Sequence, residues 1–411
     1  MIKSNRIACA AGIAAALVGV AHADMVTDWN QTAMQAVAEL PPPPQARIMA
    51  MVQAAVYDAV NAIDRHHAVY AVDIQAPAHA MPEAAAATAA HDVLVRLLPA
   101  QQPTLDAALL ASLAPLAEGD DKTHGIDVGR QAAAGILELR KGDGSAKKVT
   151  YSVVAGARAY QLTPPMNQPP VLPQWRLVKP FVLTSALQFK LPGPPAPGSA
   201  DFERDLAEVK AIGSRGSTVR SNEQTATAIF WAGSEVPPLN AVARAASAAK
   251  GLGLMANARL LAYLNLAIAD SSIAGFEYKY SVNFWRPITA IRSTADGSAA
   301  DRAWEPLLVT PPHPEYPSAH CLATGAAAQV LLDFLGSDKV SVSVVQPPLG
   351  VLHHWDSVAQ IVKEVEDARV WGGIHYRTSD EHGTQLGRRV ADFVLHNALQ
   401  PLEKTSKTAS Q

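Results

Sequence analysis

Ten prolines fall between Pro164 and Pro197. Each removes a backbone N–H and fixes φ, so neither a helix nor a central strand can run through this stretch. Trp175 and Phe181 stand among them with aliphatic neighbours. That mixture predicts an ordered loop wrapped over a core, not a solvated linker. The fold must therefore be assembled from two parts, with residues 145–200 as the seam between them. The halves are not read as independent domains.

Both parts are patterned for helix. Before the seam, helical spacing covers 24–40, 45–63, 83–98, 104–116 and 127–140. Ile48, Met51, Val52, Ala55, Val56 and Val60 form one apolar face. After it come 201–212, 221–231, 240–251, 257–279, 322–335, 357–371 and 379–399. Ser221 and Gln224 form a capping box opening the second of these. Only 340–345 reads as a strand, and no repeat has a fixed period. The expected fold class is all-α, with helical bundles around a single oxyanion site. Its parts are an N-terminal layer (24–144), a C-terminal bundle (201–403) and a frayed tail (404–411).

A hydrophobic fraction of 49% over 411 residues is enough for a large core. The formal net charge of -3 argues against nucleic acid or an anionic membrane surface as partner. Lys3 and Arg6, the apolar run 7–20 and Ala21-His22-Ala23 read as a signal peptide over 1–23. The expected protein is secreted or periplasmic, with no membrane span once the signal is removed. Cys9 leaves with that signal, so Cys321 stands alone and no intrachain disulfide forms. It reads as a small buried residue in preference to a catalytic thiol.

Three polar clusters stand out. The first pairs Lys279 with Arg286-Pro287. A helix continuing through both would put them on one face, about two turns apart, with Pro287 ending it. Trp285 would stack on Arg286 or pack under it. The second is the proline-pinned loop from Thr310 to His320. At the following helix start, the Ser318 hydroxyl and Ala319 N–H can donate to an oxyanion. His320 can act as acid or base. In the third, Gly372 and Gly373 break the helix carrying Arg369 and bring His375 beside it. There His375 is either a metal-type ligand or a nucleophile toward phosphorus.

Taken singly, these features are surface cations, an N-cap serine and a capping histidine. Together they offer three positive charges, two neutral donors and two histidines for one tetrahedral oxyanion, phosphate or vanadate. Burying those cations without an anion would cost several kcal/mol. Glu315 and Tyr316 are candidates for the entrance. His353, His354 and His382 read as surface residues.

The arrangement resembles the vanadium-dependent haloperoxidase and type-2 phosphatidic acid phosphatase superfamily. Lys279 with six residues before Arg286-Pro287 fits its first motif. Pro317-Ser318-Ala319-His320 fits the second with alanine for glycine, and Ala368-Arg369 with His375 fits the third with alanine for serine. The stretches 54–61 and 269–288 are similar to the exported bacterial haloperoxidase-like branch.

The resemblance implies an enzyme with vanadate as cofactor, and hydrogen peroxide and halide as partners. His375 would hold vanadium. Lys279, Arg286, Ser318, the Ala319 amide and Arg369 would bind the oxygens. His320 would shuttle protons and Lys279 would polarise the bound peroxide. His313, seven residues before His320, is similar to the histidine of bromoperoxidases, which implies bromide or iodide over chloride. The alternative is an exported acid phosphatase taking a phosphate ester at the same residues, through a phosphohistidine at His375. Residues alone do not separate the two, since both stabilise the same trigonal-bipyramidal geometry. The sequence leaves homo-oligomer formation open.

Overall fold

The computed structural model describes residues 24–402 apart from 153, 155, 294–299 and 347–350. The leader expected at 1–23 and the tail expected at 404–411 lie outside the described residues. On the N-terminal side are α1 (Met25–Ala36), α2 (Pro42–Asp64), α3 (Pro82–Leu97), α4 (Gln102–Leu113) and α5 (Asp120–Leu139). On the C-terminal side α6 (Ala200–Ile212), α7 (Asn222–Phe230), α8 (Val236–Lys250), α9 (Leu254–Val282) and α10 (Pro287–Ile291) come first. They are followed by α11 (Ala319–Leu335), α12 (Val358–Trp371) and α13 (Arg377–Asn397). The protein is helical, as its patterning predicts. Prolines open α2 and α3, where a missing N–H costs nothing.

One departure is a hairpin. The strand expected at 340–345 is β1 (Lys339–Gln346), paired antiparallel with β2 (Val351–Ser357). His353 and His354 disguise β2 in the sequence. His353 is not a surface residue: its ring stacks on Phe230 at 3.9 Å and its Nδ1 meets Glu364 Oε1 at 3.0 Å. His354 is one, with 48% of its side chain exposed. His382 is half-buried, its Nδ1 2.8 Å from the Tyr316 hydroxyl.

Helix α9 is the axis of the packing. Residues 260–269 are buried on every side, so this helix has no solvent face. It packs against α2, α11 and α13. Helices α11 and α13 meet across a glycine seam. A Cβ on Gly387 would lie 2.0 Å from the Leu322 carbonyl oxygen, and one on Gly383 2.7 Å from that of Ser318. Glycine therefore brings α13 against the first turn of α11, where the polar clusters meet.

The proline-rich loop is ordered over α9. Asp270 accepts the backbone N–H groups of Phe181, Val182 and Leu183 at 2.6, 2.8 and 2.8 Å. Arg140, just after α5, donates to the Lys179 and Pro180 carbonyls and lies over the Phe181 ring at 3.8 Å.

Helices α3 and α4 are tied by His91, whose Nδ1 meets Asp92 at 2.7 Å and whose Nε2 meets Asp106 at 2.8 Å. A carboxylate on each nitrogen selects the doubly protonated ring. Desolvation lowers its pKa, but the two carboxylates outweigh that and hold it above the ordinary 6.5. The folded value thus exceeds the unfolded one. The bridge stabilises fully below the unfolded pKa, and that contribution is lost as pH rises through the folded one. Urea unfolding of His91→Gln is expected to lack this part of the pH slope. An unchanged slope would count against the bridge.

Candidate active site

The three clusters converge, though not along the path the sequence predicts. Helix α9 stops at Val282, where Asn283 takes a left-handed conformation (φ 54). Arg286 is the N-cap of α10, so Pro287 begins a helix in place of ending one. Its fixed φ and missing N–H suit that position. Lys279 and Arg286 therefore meet across a turn. Trp285 packs flat against Phe202, at 6.5 Å between ring centroids.

All three cations are buried. Lys279 Nζ donates to the carbonyls of Pro314 (3.2 Å) and Glu315 (2.8 Å). Arg286 donates from Nε to His313 O at 3.0 Å and from Nη1 to Ile374 O at 2.8 Å. Arg369 Nη1 donates to Trp231 O, while its Nε is buried without a hydrogen bond. Desolvation, then Arg286, holds the Lys279 pKa well below the ordinary lysine range. Burial lowers Arg286 to about 10, which leaves it charged at neutral pH.

Three histidines border these cations, and their neighbours assign the protons of His375 and His320. Glu315 Oε1 also accepts the Tyr376 N–H, so it is an acceptor, and His375 Nδ1 at 2.6 Å must donate to it. Arg286 Nη1 can only donate, so His375 Nε2 at 3.1 Å carries the lone pair. Desolvation, then Arg286, pushes the His375 pKa well below 6.5, keeping the ring neutral. His313 Nδ1 lies 3.1 Å from both Arg286 Nη2 and the Pro314 carbonyl oxygen. His320 gives its Nε2 proton to Gly233 O at 2.8 Å, which leaves Nδ1 as acceptor.

Ser318 sits at the N-cap of α11, yet its side chain makes no capping bond. Its hydroxyl is buried without a hydrogen bond. It faces the Asp380 carboxyl, whose pKa burial pushes well up against the pull of the Ser318 hydroxyl. A buried serine that does not cap its own helix has a hydroxyl it can turn toward an oxyanion. Ala319 opens α11, where the first N–H groups have no intrahelical partner. Gly373 (φ 76) makes the turn that brings His375 round beside Arg369.

Three buried carboxyls join these residues that sequence reasoning did not place: Glu235, Glu315 and Asp380. Glu315 is no entrance residue; it lies beneath His375, and Tyr316 is buried with it. Burial raises the Glu315 pKa, against the pull of Arg286 and Lys279. Burial also pushes Glu235 up to about 7. Glu235 Oε2 lies 3.4 Å from His320 Nε2. Asp380 stands in the first turn of α13, an ordinary place for an acidic residue, so nothing in its spacing pointed inward. Cys321 is buried, with Sγ 3.4 Å from Asp380 Oδ1. Burial holds its thiol well above the usual range, as expected of an inert packing residue.

A helical fold with buried cations around a lone-pair histidine is an arrangement suited to holding an oxyanion. Residues 259–404 match the VCPO second helical-bundle domain. Vanadium chloroperoxidase from Curvularia inaequalis is 25% identical over 224 residues, 39% of this chain. The match spans only 37% of that relative's length. A bacterial vanadium-dependent iodoperoxidase superposes with a TM-score of 0.80 at 27% identity, covering 92% of this chain and 96% of its own. An apo bacterial vanadium-dependent chloroperoxidase shares the fold, with a TM-score of 0.71 at 19% identity over 88% of this chain and 94% of its own. Together these matches make the chain similar to the vanadium haloperoxidases, in sequence over residues 259–404 and in fold over nearly its whole length.

Proposed function

We propose that the chain is a vanadate-dependent haloperoxidase that oxidises iodide or bromide, in preference to chloride, with hydrogen peroxide to hypohalous acid. The observation that carries this reading is the His375 tautomer. Glu315 holds the Nδ1 proton, and a lone pair on Nε2 is fixed beside buried cations. The structural likeness to a bacterial iodoperoxidase over 92% of the chain supports the halide chemistry. His313, bonded to Arg286, supports the order of halides through the family resemblance alone. Export through the leader at 1–23 belongs to the same proposal.

The donor set fits vanadate. Ser318 Oγ and Arg369 Nε are buried without partners, as donors awaiting oxyanion oxygens would be. Lys279, Arg286, Ser318, the Ala319 amide and Arg369 would hold those oxygens, and His375 Nε2 would hold the vanadium. Bound vanadate supplies a Lewis acid that activates hydrogen peroxide without changing oxidation state. His320 accepts and returns a proton at Nδ1, while Gly233 keeps Nε2–H in place. Glu315 keeps the Nε2 lone pair of His375 directed at the cations.

The test is an orthovanadate titration of the mature protein. Peroxide-dependent triiodide formation and bromination should rise to saturation with vanadate, with chloride oxidised more slowly. Full vanadate loading with no halide oxidation would overturn the proposal. Phosphate-ester hydrolysis in its place would assign an acid phosphatase with His375 as the nucleophile.

A further inference from the structure

A cavity of about 500 Å³ lies between α1, α8 and β1, away from the oxyanion donors. Met34, Pro238, Ala241, Val344 and Val345 give it apolar walls. Gln31 and Gln35 stand exposed beside them. Its charged lining residue is Arg244 of α8, and among the described residues no acidic side chain lines it. Sites for organic molecules span about 300–1,000 Å³, so the volume suits one.

Arg244 is held in place without being neutralised. It is half-buried, and its hydrogen bond among the described residues runs from Nη1 to Asn30 Oδ1, a neutral acceptor. Burial lowers its pKa, and no neighbouring carboxylate draws it back up. The anchor is itself fixed. Asn30 Nδ2 donates to Asn240 Oδ1 at 2.9 Å, and the same oxygen accepts from Asn265 Nδ2 at 2.9 Å. All three asparagines are fully buried. With its Nδ2 engaged there, Asn30 presents its oxygen to Arg244. An aspartate at this position would cancel the charge. The asparagine ladder instead orients the guanidinium and leaves its charge and most of its donors for another partner.

A single uncompensated cation selects a monoanion, since a dianion would call for a second. The planar fork of N–H donors matches a carboxylate in two parallel hydrogen bonds. A bare halide would gain nothing from the apolar walls, whereas a hydrocarbon body is stabilised by burial against them. We propose that the Arg244 pocket binds an organic monocarboxylate, with its carboxylate on the guanidinium and its apolar body against Met34, Ala241 and Val344. The inference stands apart from the haloperoxidase reading, because it uses none of the oxyanion donors.

Calorimetry of naphthoate binding to the full chain tests the pocket, with orthovanadate present to occupy the oxyanion donors. Gly233 and Ser234 line both this pocket and the cavity at Arg369 and His375, so variants must show where the probe sits. Arg244→Gln removes the charge and can still donate to Asn30, while Ala241→Phe fills the space. Saturable binding to the wild type should weaken by at least about tenfold in each folded variant. Ala241→Phe keeps the test open should the Arg244 variant fail to fold. Naphthylmethanol, the neutral counterpart, should bind the wild type at least about tenfold more weakly than naphthoate does. Absence of saturable naphthoate binding overturns the proposal, as does equal binding by the folded variants or by the neutral probe. Displacement of naphthoate by an equimolar amount of iodide also overturns it, by making the pocket a site for inorganic anions only.

Discussion

His375→Ala is expected to remove peroxide-dependent iodide oxidation, lowering kcat/KM by about a thousandfold or more, equivalent to ~4 kcal/mol of lost stabilisation. The substitution deletes the lone pair that Glu315 fixes on His375 Nε2 and leaves the fold's hydrophobic core alone. Glu315→Gln separates orientation from ligation. A glutamine can accept from Nδ1, or it can rotate its amide and donate, which moves the ring proton to Nε2. It also removes the negative charge that offsets Lys279 and Arg286. A residue acting through a ligand typically costs about 10–100-fold. Glu315→Gln should thus fall between wild type and His375→Ala, with weaker vanadate binding. Steady-state kinetics over a vanadate titration checks both. Retained activity in His375→Ala would refute the shared site, and an unchanged Glu315→Gln would remove its positioning role.

The site was legible where spacing carries geometry and illegible where only tertiary contact does. Lys279, Arg286, Ser318, His320, Arg369 and His375 could be read because helix starts and glycine breaks constrain nearby backbone. The joining helix from Lys279 to Arg286 could not, because Asn283 stops α9 through a backbone conformation that no spacing rule requires. Glu315 lies in a proline-rich loop whose path depends on the elements around it, and it meets His375 from 60 residues away. Nor do the buried cations depend on an anion alone. Glu235, Glu315 and Asp380 surround them, and each carboxyl is lifted by burial. Their charge offsets the cations without completing the hydrogen bonds of Ser318 and Arg369. Among the helices, long apolar faces were visible, while the five-residue α10 and the histidine-bearing strand β2 were not.

Asp270→Ala is expected to be the most destabilising single change outside the active site, costing about 4 kcal/mol. The proline-rich loop forms little backbone structure of its own, so its N–H groups need partners supplied by other elements. Asp270 supplies three of them at once, from a fully buried position on α9. Burial raises its pKa to about 6, against the pull of those amides, so the carboxyl is ionised at neutral pH. Alanine would leave one buried and two part-buried donors unpaired, each buried donor costing about 1–3 kcal/mol, with partial relief as water enters. Asparagine would not restore the fit, because its NH₂ group would face a backbone N–H. Asp201→Ala, on the exposed first turn of α6, should by contrast stay within about 0.5 kcal/mol. Urea unfolding of the three variants measures these differences. Equal midpoints for Asp270→Ala and wild type would mean that the loop is held by Arg140 and its own apolar side chains. The consequence reaches the active site, because Lys279 stands nine residues further along the same helix. Leu172, from the same loop, lines a cavity that opens onto Arg369 and His375. Loosening the loop should therefore lower peroxide-dependent iodide oxidation as well as stability.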